Sequence, residues 1–297
     1  ALVAEARIDS VERFDAGDGA VGVRVIGADG VEDRAFSALD AGAREYADGY
    51  SAAARFAHVR TDPAGLVSAS VIGGTSLETP GVTLRPAQDA WRATVVEVDE
   101  DAREVVLEVE RAALPEGDAL RGAAVYFSNA EYSRNTAYHV DRVTREGGRT
   151  RLRVRESTFL LGNAVVDGPP VDDMTLASVV PHPYARTMAR SAPPEALDFF
   201  AGKLFTTADD SASTTVRGVA NGQPITITVD STDGFTDGAQ CYYHDVRPGD
   251  AAIIHTSASL RRTGDGTYLL RATTAVTVAG REVPAAEALQ GVEVLLR

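Results

Sequence analysis

VVEVDEDAREVVLEV, residues 95–109, has the pattern of two β-strands joined by a turn. Valine and leucine alternate with polar residues on both sides of an acidic centre, as side chains do on strands that bury one face. The same arrangement recurs in HVDRVTREGGRTRLRV (139–154) and in ASLRRTGDGTYLLRA (258–272). The sequence therefore predicts three β-hairpins, each with turn residues between two strands.

Alternation with a period of two continues outside these hairpins. VGVRVIG (21–27) lies between the turn sequences AGDG (16–19) and GADG (27–30), and PITITVDS (224–231) and GVEVLLR (291–297) show a similar pattern. Short strands at this spacing are typical of sandwiches and barrels. We therefore expect an all-β fold, with layered antiparallel sheets or a β-sandwich and few short helices.

Two segments are predicted to be helical, DAGAREYADGYSAAARF (40–56) and PPEALDFFAGKLF (193–205), the second of which begins with proline. The proline-rich stretch 167–196 predicts a long connection. The expected organisation is therefore a β-sandwich block at 1–166 and a second β block at 197–297 packed on the first.

Composition is that of a globular protein with a large core. The chain has 297 residues, of which 44% are hydrophobic and 24% charged. Its apolar runs are too short to span a bilayer, and no secretion signal is visible. Because the chain opens directly on ALVAEARIDSVERF, we expect a mature or trimmed product. The single cysteine, Cys241, has no partner in the chain for a disulfide.

Charge limits the kinds of partner. The net charge of −14 would repel the phosphates of nucleic acids and anionic membrane surfaces, so we expect neither as a partner. Lys203 is the only lysine, and all other basic side chains except histidine are arginine. Arginine binds carboxylate and sulfate groups with two hydrogen bonds. A polyanionic ligand therefore remains compatible with a locally positive groove.

Sequence motifs of several enzyme classes are absent. The chain contains no P-loop, no GxGxxG after a strand, no GxSxG elbow, no HExxH and no CxxC pair. Their absence argues against nucleotide-dependent enzymes, serine hydrolases of the elbow type and zincins.

The richest polar run is YFSNAEYSRNTAYHVDRV, residues 126–143. Its candidate site residues are Tyr132, Arg134, Asn135, Tyr138 and His139. A tyrosine beside a histidine can abstract and return protons near neutral pH when burial tunes their pKa values. The other hypothesis is a hairpin loop in which the asparagines cap turns through side-chain hydrogen bonds.

Strand geometry constrains the use of this run. In a regular strand Tyr138 and His139 point to opposite sides, so they could serve one pocket only if a bulge intervened. The two predicted faces are Tyr138, Val140 and Arg142 on one side, and Ala137, His139, Asp141 and Val143 on the other.

A second cluster lies in CYYHDV, residues 241–246. It contributes Tyr242, Tyr243 and His244 as candidate site residues. A structural divalent metal such as zinc is conceivable at His182, His244 and Asp245, because imidazole and carboxylate suit zinc, although no close ligand spacing supports it. The remaining histidines, His58 and His255, are interpreted as structural residues of the sheets.

Three stretches carry a resemblance to a known family. They are RFAHVRTDPAGLVSASVIGGTSL (55–77), the segment 122–165 that starts with GAAVYFSN, and the segment 242–278 that starts with YYHDVRPGD. Their order and strand rhythm resemble the C-terminal β-rich region of heparinase II/III-type polysaccharide lyases. The resemblance covers roughly residues 50–280.

The resemblance implies β-elimination at a uronic acid and an extracellular or periplasmic location. A cation or amide neutralises the carboxylate, a tyrosine or histidine removes the neighbouring proton, and a tyrosine protonates the leaving oxygen. Applied here, it implies Arg134 and Asn135 for the carboxylate and His139 or Tyr138 for proton transfer. His244, Tyr242 and Tyr243 form a second group. The chain lacks the long amphipathic helices of the family's α/α toroid, so a toroid domain or partner chain would have to complete the site.

Two function classes therefore stay open. The first is the β-sheet portion of a lyase that acts on an acidic polysaccharide or oligosaccharide, with no resident cofactor expected. The second is a non-catalytic β module that binds glycans or holds an assembly together. In a binding module Trp91, Tyr126 and Tyr132 would stack on sugar rings; the alternative for Trp91 is packing in the core. Convergence of Tyr138, His139 and His244 with an arginine would favour the lyase.

Overall fold

The computed structural model describes residues 8–15, 19–130, 135–156, 159–171, 173–181, 200–220 and 222–296. Antiparallel strands dominate this part of the chain, and Ala285–Gln290 is its one α-helix. The prediction of an all-β fold is confirmed. Among the helical residues described, no segment has the length and apolarity needed to cross a membrane.

The strands are, in chain order, β1 (Ile8–Asp15), β2 (Ala20–Gly27), β3 (Glu32–Ala38), β4 (Ala43–Glu45), β5 (Ser51–Asp62), β6 (Gly65–Glu78), β7 (Thr83–Pro86), β8 (Ala90–Asp99), β9 (Glu104–Val109), β10 (Ala124–Ser128), β11 (Asn135–Glu146), β12 (Arg149–Val154), β13 (Leu160–Val166), β14 (Met174–Pro181), β15 (Leu204–Thr207), β16 (Ser213–Ala220), β17 (Ile225–Val229), β18 (Gln240–His244), β19 (Ala251–His255), β20 (Ser257–Gly264), β21 (Thr267–Ala272), β22 (Val276–Val278), β23 (Arg281–Val283) and β24 (Val292–Leu295). The helix Ala285–Gln290, named α1, lies between β23 and β24.

The chain forms two compact units. Unit 1 contains residues 1–91 and 254–297, and unit 2 contains residues 92–253, so the boundaries fall within β8 and β19. This division differs from the expected blocks at 1–166 and 197–297, because each of those blocks contributes strands to both units. The predicted connection at 167–196 falls within unit 2, and residues 182–196 of it lie outside the described residues.

Unit 1 is a sheet of twelve described strands. Its main path runs β1-β2-β3-β5-β6-β20-β21-β24, and the short strands β4, β7, β22 and β23 attach beside it. Strands from both ends of the chain meet where β6 pairs with β20. A hydrophobic cluster on this sheet includes Phe36, Leu77, Leu84 and Leu270, each almost fully buried.

Unit 2 contains two closed six-stranded barrels. The first barrel has the strand order β10-β11-β12-β9-β8-β19, and the second barrel has the order β13-β14-β17-β16-β15-β18. In β12 every second residue is buried, including Leu152 and Val154, because side chains alternate between the interior and the surface of a barrel. Small barrels of this kind are filled by side chains. Phe205, Ile227 and Met174 fill the second barrel in the same way.

The three predicted hairpins are confirmed. β8 pairs with β9, β11 with β12, and β20 with β21, all antiparallel. In the β11–β12 hairpin Gly147 and Gly148 connect Glu146 to Arg149, with φ of 57° and 79°. Two-residue loops that match the twist of a hairpin need positive φ at both positions, which glycine adopts at little cost.

The predicted helix at 40–56 is wrong. This segment contains β4, a single 3-10 turn at Ala47–Gly49 and the first half of β5. Asp48 has a φ of 62°, which interrupts any helix there. Tyr46 and Tyr50 pack on the ring of Phe36, with centroid distances of 4.3 and 5.8 Å. Tertiary packing and pairing with β6 therefore override the helix propensity of the alanines.

The second predicted helix, 193–205, is not formed in its described part. Residues 193–199 lie outside the described residues, and Leu204 and Phe205 belong to β15, which pairs with β16 and β18. Conversely, α1 was not predicted from the sequence. Pro284 precedes this helix and Gly291 follows it, which is the usual punctuation of a helix start and end.

The predicted assignment of β11 side chains to two faces is correct from Tyr138 to Val140 and wrong after that. Tyr138 and Val140 are buried together and His139 is exposed, as expected. Arg142, however, is exposed and Val143 is buried, so the assignment of these two residues is wrong. The register on β12 shifts between Val140 and Arg142, and such a bulge reverses the sides of all following residues.

Candidate functional site

The side chain of Tyr138 is buried inside unit 2, and its hydroxyl group donates a hydrogen bond to a carboxylate that follows the last strand of the second barrel. The residue is 1% exposed, and its OH donates to Asp245 Oδ2 at 2.8 Å. Its ring contacts Phe159 edge-on at a centroid distance of 5.1 Å and Phe127 at 6.1 Å. Asp245 directly follows β18, and its backbone N–H donates to Phe159 O. Tyr138 therefore links the first barrel to the end of β18.

Lys203, the only lysine, completes this contact. Its Nζ donates to Asp245 Oδ1 at 2.7 Å, and the two side chains are 13% and 4% exposed. Both carboxylate oxygens of Asp245 therefore accept a hydrogen bond, one from Lys203 and one from Tyr138. A buried carboxylate needs such partners, because desolvation without them is costly. We call Tyr138, Lys203 and Asp245 the buried triad.

His244 is also buried, at 4% exposure, and both ring nitrogens have partners. Nε2 lies 3.0 Å from Thr206 Oγ1, and Nδ1 lies 3.0 Å from Glu100 Oε1. Since Glu100 belongs to the β8–β9 turn and Thr206 to β15, His244 is a second polar link between the two barrels.

The edge of His244 lines a cleft of about 440 Å³ within unit 2. Five carboxylates border this acidic cleft, from the β8–β9 hairpin and from the turn after β15. The only arginine among its described lining residues is Arg247, which is paired with Asp210 at 2.9 Å. The acidic side chains are Glu97, Asp99, Glu100, Asp101 and Asp210.

His139 points away from Tyr138, as alternation on β11 requires. Its side chain is 56% exposed, and Nδ1 lies 2.7 Å from Glu156 Oε1. The other oxygen of Glu156 accepts the backbone N–H of His139. Glu156 therefore holds both the ring and the backbone of His139 at the surface of the first barrel.

The other candidate residues are dispersed. Asn135 begins β11 and is exposed, whereas Tyr132 and Arg134 lie outside the described residues. Tyr243 is buried among Phe200 and Phe205, and burial raises the pKa of its hydroxyl above the usual range. Tyr242 is half-buried beside the acidic cleft.

The proposed metal ligands do not form a described centre. His182 lies outside the described residues, and the nearest contacts of His244 and Asp245 are the ones given above. In the described part of the chain no group of three or more His, Cys, Asp or Glu side chains could hold a metal ion. A structural zinc therefore stays a prediction.

The remaining aromatic and histidine candidates are mostly structural. Trp91 is buried at the start of β8, in line with packing rather than sugar stacking, whereas Tyr126 is half exposed on β10. His58 Nε2 lies 2.9 Å from Asp33 Oδ1, a contact between β5 and its neighbour β3.

A groove on the first barrel was missed by the sequence analysis. It encloses about 670 Å³, and its accessible apolar lining includes Val96, which is 43% exposed, and the half-buried Val109. Arg111, Arg145 and Arg149 line it. Two of these arginines flank the Gly147–Gly148 turn in TREGGRT, so the signal was a pair of arginines on one hairpin. We call this the arginine groove.

The arginines of this groove are only partly neutralised. Arg149 lies 3.4 Å from Glu97 and Arg145 lies 3.5 Å from Glu116. Arg111 is exposed, and no ion pair joins it to another described residue. The groove also contains Glu108. Its cationic side is therefore open to an added anion.

No family model, curated protein or solved structure matches this chain. The likeness to heparinase II/III-type proteins therefore stays a prediction.

Proposed function

We propose that the chain is a non-catalytic structural module that forms a rigid part of a larger assembly. The observation that carries this proposal is the burial of Tyr138 and His244, whose polar atoms bond to other residues of unit 2. A general base must reach the proton that it abstracts. These two side chains instead hold the barrels together.

The spatial arrangement of the candidates also favours a structural role. Tyr138 and His139 project to opposite sides of β11, and His244 lies by the acidic cleft. An eliminase needs its base beside a cation or amide that neutralises the uronate carboxylate. The carboxylates of the acidic cleft would instead repel a uronate, because like charges at short range are unfavourable.

The test is an eliminase assay with the whole chain. Alginate, heparan sulfate, hyaluronan, chondroitin and ulvan are incubated with the protein, and the ultraviolet absorbance of unsaturated uronate ends is followed. We expect no increase for the wild type, for Tyr138→Phe or for His139→Ala. An increase that disappears in either variant would overturn the proposal and establish a lyase.

The arginine groove favours a second function, the binding of an acidic glycan without cleavage. The exposed side chain of Val96 suits the carbon face of a sugar ring, and the guanidinium groups of Arg111 and Arg149 suit carboxylate or sulfate. This partner is the acidic oligosaccharide expected from the sequence. The groove lies on the first barrel alone, so binding there requires neither the buried triad nor His244.

Binding is tested by titration calorimetry with heparan sulfate and alginate oligosaccharides. The double variant Arg111→Ala/Arg149→Ala should lose most of the affinity, and added salt should weaken binding of the wild type because it screens exposed charges. Arg281→Ala, an exposed arginine of β23 in unit 1, is the matched control. Equal affinity of the double variant and the control would rule out the groove as the binding site.

A further inference from the structure

Carboxylates in and beside the arginine groove balance most of its positive charge. Arg149 lies 3.4 Å from Glu97, and Arg145 lies 3.5 Å from Glu116. Glu108 lines the groove itself. A ligand that enters the groove therefore meets negative side chains as well as the arginines.

The arginines differ in how many of their donors are still available. Arg145 Nη2 donates to Leu114 O at 3.2 Å, and its Nε lies 3.5 Å from Glu116 Oε1. Arg111, in contrast, is exposed, and no ion pair joins it to another described residue. Because a guanidinium group binds an oxyanion through free N–H donors, Arg111 is the best position in the groove for one anionic group.

A β-bulge places a carboxylate directly beside the exposed apolar lining of the groove. The register of β8 on β9 shifts between Val95 and Glu97, so Val96 and Glu97 are consecutive exposed residues. Val96 lines the groove, and Glu97 contacts Arg149 from the next position. A sugar ring that packs on Val96 is therefore close to Glu97, which repels a second anionic group at that point.

The charge of the whole chain acts in the same direction. The net charge is −14, and Glu97 is also one of the five carboxylates of the acidic cleft. Repulsion between ligand and protein grows with every negative charge on the ligand, whereas the attraction to Arg111 is gained once. A ligand with few and separated anionic groups therefore keeps the attraction and suffers the least repulsion.

We propose that the arginine groove selects an acidic oligosaccharide whose carboxylates are isolated from one another by uncharged sugar rings. One carboxylate lies on Arg111, an uncharged ring packs on Val96, and Glu97 and Glu108 disfavour ligands with a charge on every ring. The volume of about 670 Å³ is that of a site for a short oligosaccharide. This inference rests on the second proposed function, the binding of an acidic glycan without cleavage.

The experiment is titration calorimetry of the full chain with two hexasaccharides that carry no sulfate. Hyaluronan has a carboxylate on every second ring, and alginate has one on every ring. We expect the Kd for the alginate hexasaccharide to exceed that for the hyaluronan hexasaccharide by about tenfold or more. Equal affinity, or tighter binding of alginate, would overturn the inference.

Variants separate the effect of charge from the other differences between the two glycans. Glu97→Gln/Glu108→Gln removes two carboxylates at nearly constant size and should reduce the ratio of the two Kd values to about threefold or less. Glu282→Gln/Glu293→Gln, which removes two exposed carboxylates of unit 1, is the matched control and should leave the ratio close to that of the wild type. Circular dichroism verifies that each variant keeps its fold. A ratio that changes equally in both double variants would refute the role of Glu97 and Glu108.

The inference and the proposed functions can fail separately. Binding in the groove that prefers alginate contradicts the selectivity and leaves the glycan-binding function intact. Binding that survives Arg111→Ala/Arg149→Ala lies elsewhere on the chain and refutes the groove as well as its selectivity. If neither hexasaccharide binds, the second function and this inference are both refuted, and the structural function is unaffected.

Discussion

Replacing Lys203 by methionine should destabilise unit 2 strongly, because it leaves Asp245 as a buried carboxylate without its cation. The Nζ–Oδ1 distance is 2.7 Å, and Asp245 is 4% exposed. Loss of one partner of a buried ion pair typically costs about 3–5 kcal/mol. Tyr138 still donates to Asp245 in the variant, so we expect about 3 kcal/mol.

The measurement is urea unfolding followed by circular dichroism, with the double variant Lys203→Met/Asp245→Asn alongside. Because asparagine is neutral and still accepts from Tyr138, the double variant should recover at least about 1.5 kcal/mol relative to the sum of the single variants. Arg217→Met is the matched control, since Arg217 and Asp230 form an exposed pair in the second barrel. Exposed pairs contribute at most about 1 kcal/mol. If Lys203→Met costs no more than this control, the buried triad is not a structural link.

Three further predictions concern single residues. Gly22→Val should lower the stability of unit 1 measured by thermal unfolding, because its side chain would overlap the Phe14 ring, whereas an unchanged melting temperature would contradict that packing. Cys241 is buried and burial raises its thiol pKa to about 11, so it should react with a thiol reagent only after denaturation, and stoichiometric native labelling at pH 8 would refute this. Hydrogen bonds from Thr207 and Ser211 lower the pKa of Asp209 from 3.8 to about 2, so its stabilising effect is present above pH 3.8 and is lost as pH falls toward 2. Melting temperatures of Asp209→Asn should therefore depend less on pH in that interval than those of the wild type.

Local pattern was enough for the strands and hairpins. The alternation in 95–109 and the glycines between Glu146 and Arg149 specify strand, turn and pairing within a few residues of each other. The helix predicted at 40–56 was wrong, because the alanine-rich end of this segment belongs to β5 and pairs with β6. The predicted faces were also wrong at Arg142 and Val143, because a bulge has no clear signal in sequence.

Candidate site residues were harder to interpret than strands. Chemical type drew attention to Tyr138 and His244, but type does not reveal whether a polar group faces solvent or a partner more than a hundred residues away, as Tyr138 faces Asp245. The arginines of the groove were counted in the composition without being located. Arg111 follows β9 and Arg145 lies on β11, and the two meet only because β12 pairs with both of these strands.

The sequence by itself determined an all-β chain with anionic character, because strand periodicity, turn residues and net charge are properties of neighbouring residues or of simple sums. The tertiary structure alone decided that β6 pairs with β20, that residues 92–253 form two closed barrels, and that the only lysine neutralises Asp245. These features depend on contacts between distant segments, whose partners are selected by the burial of the whole core and leave no mark on any short stretch of sequence.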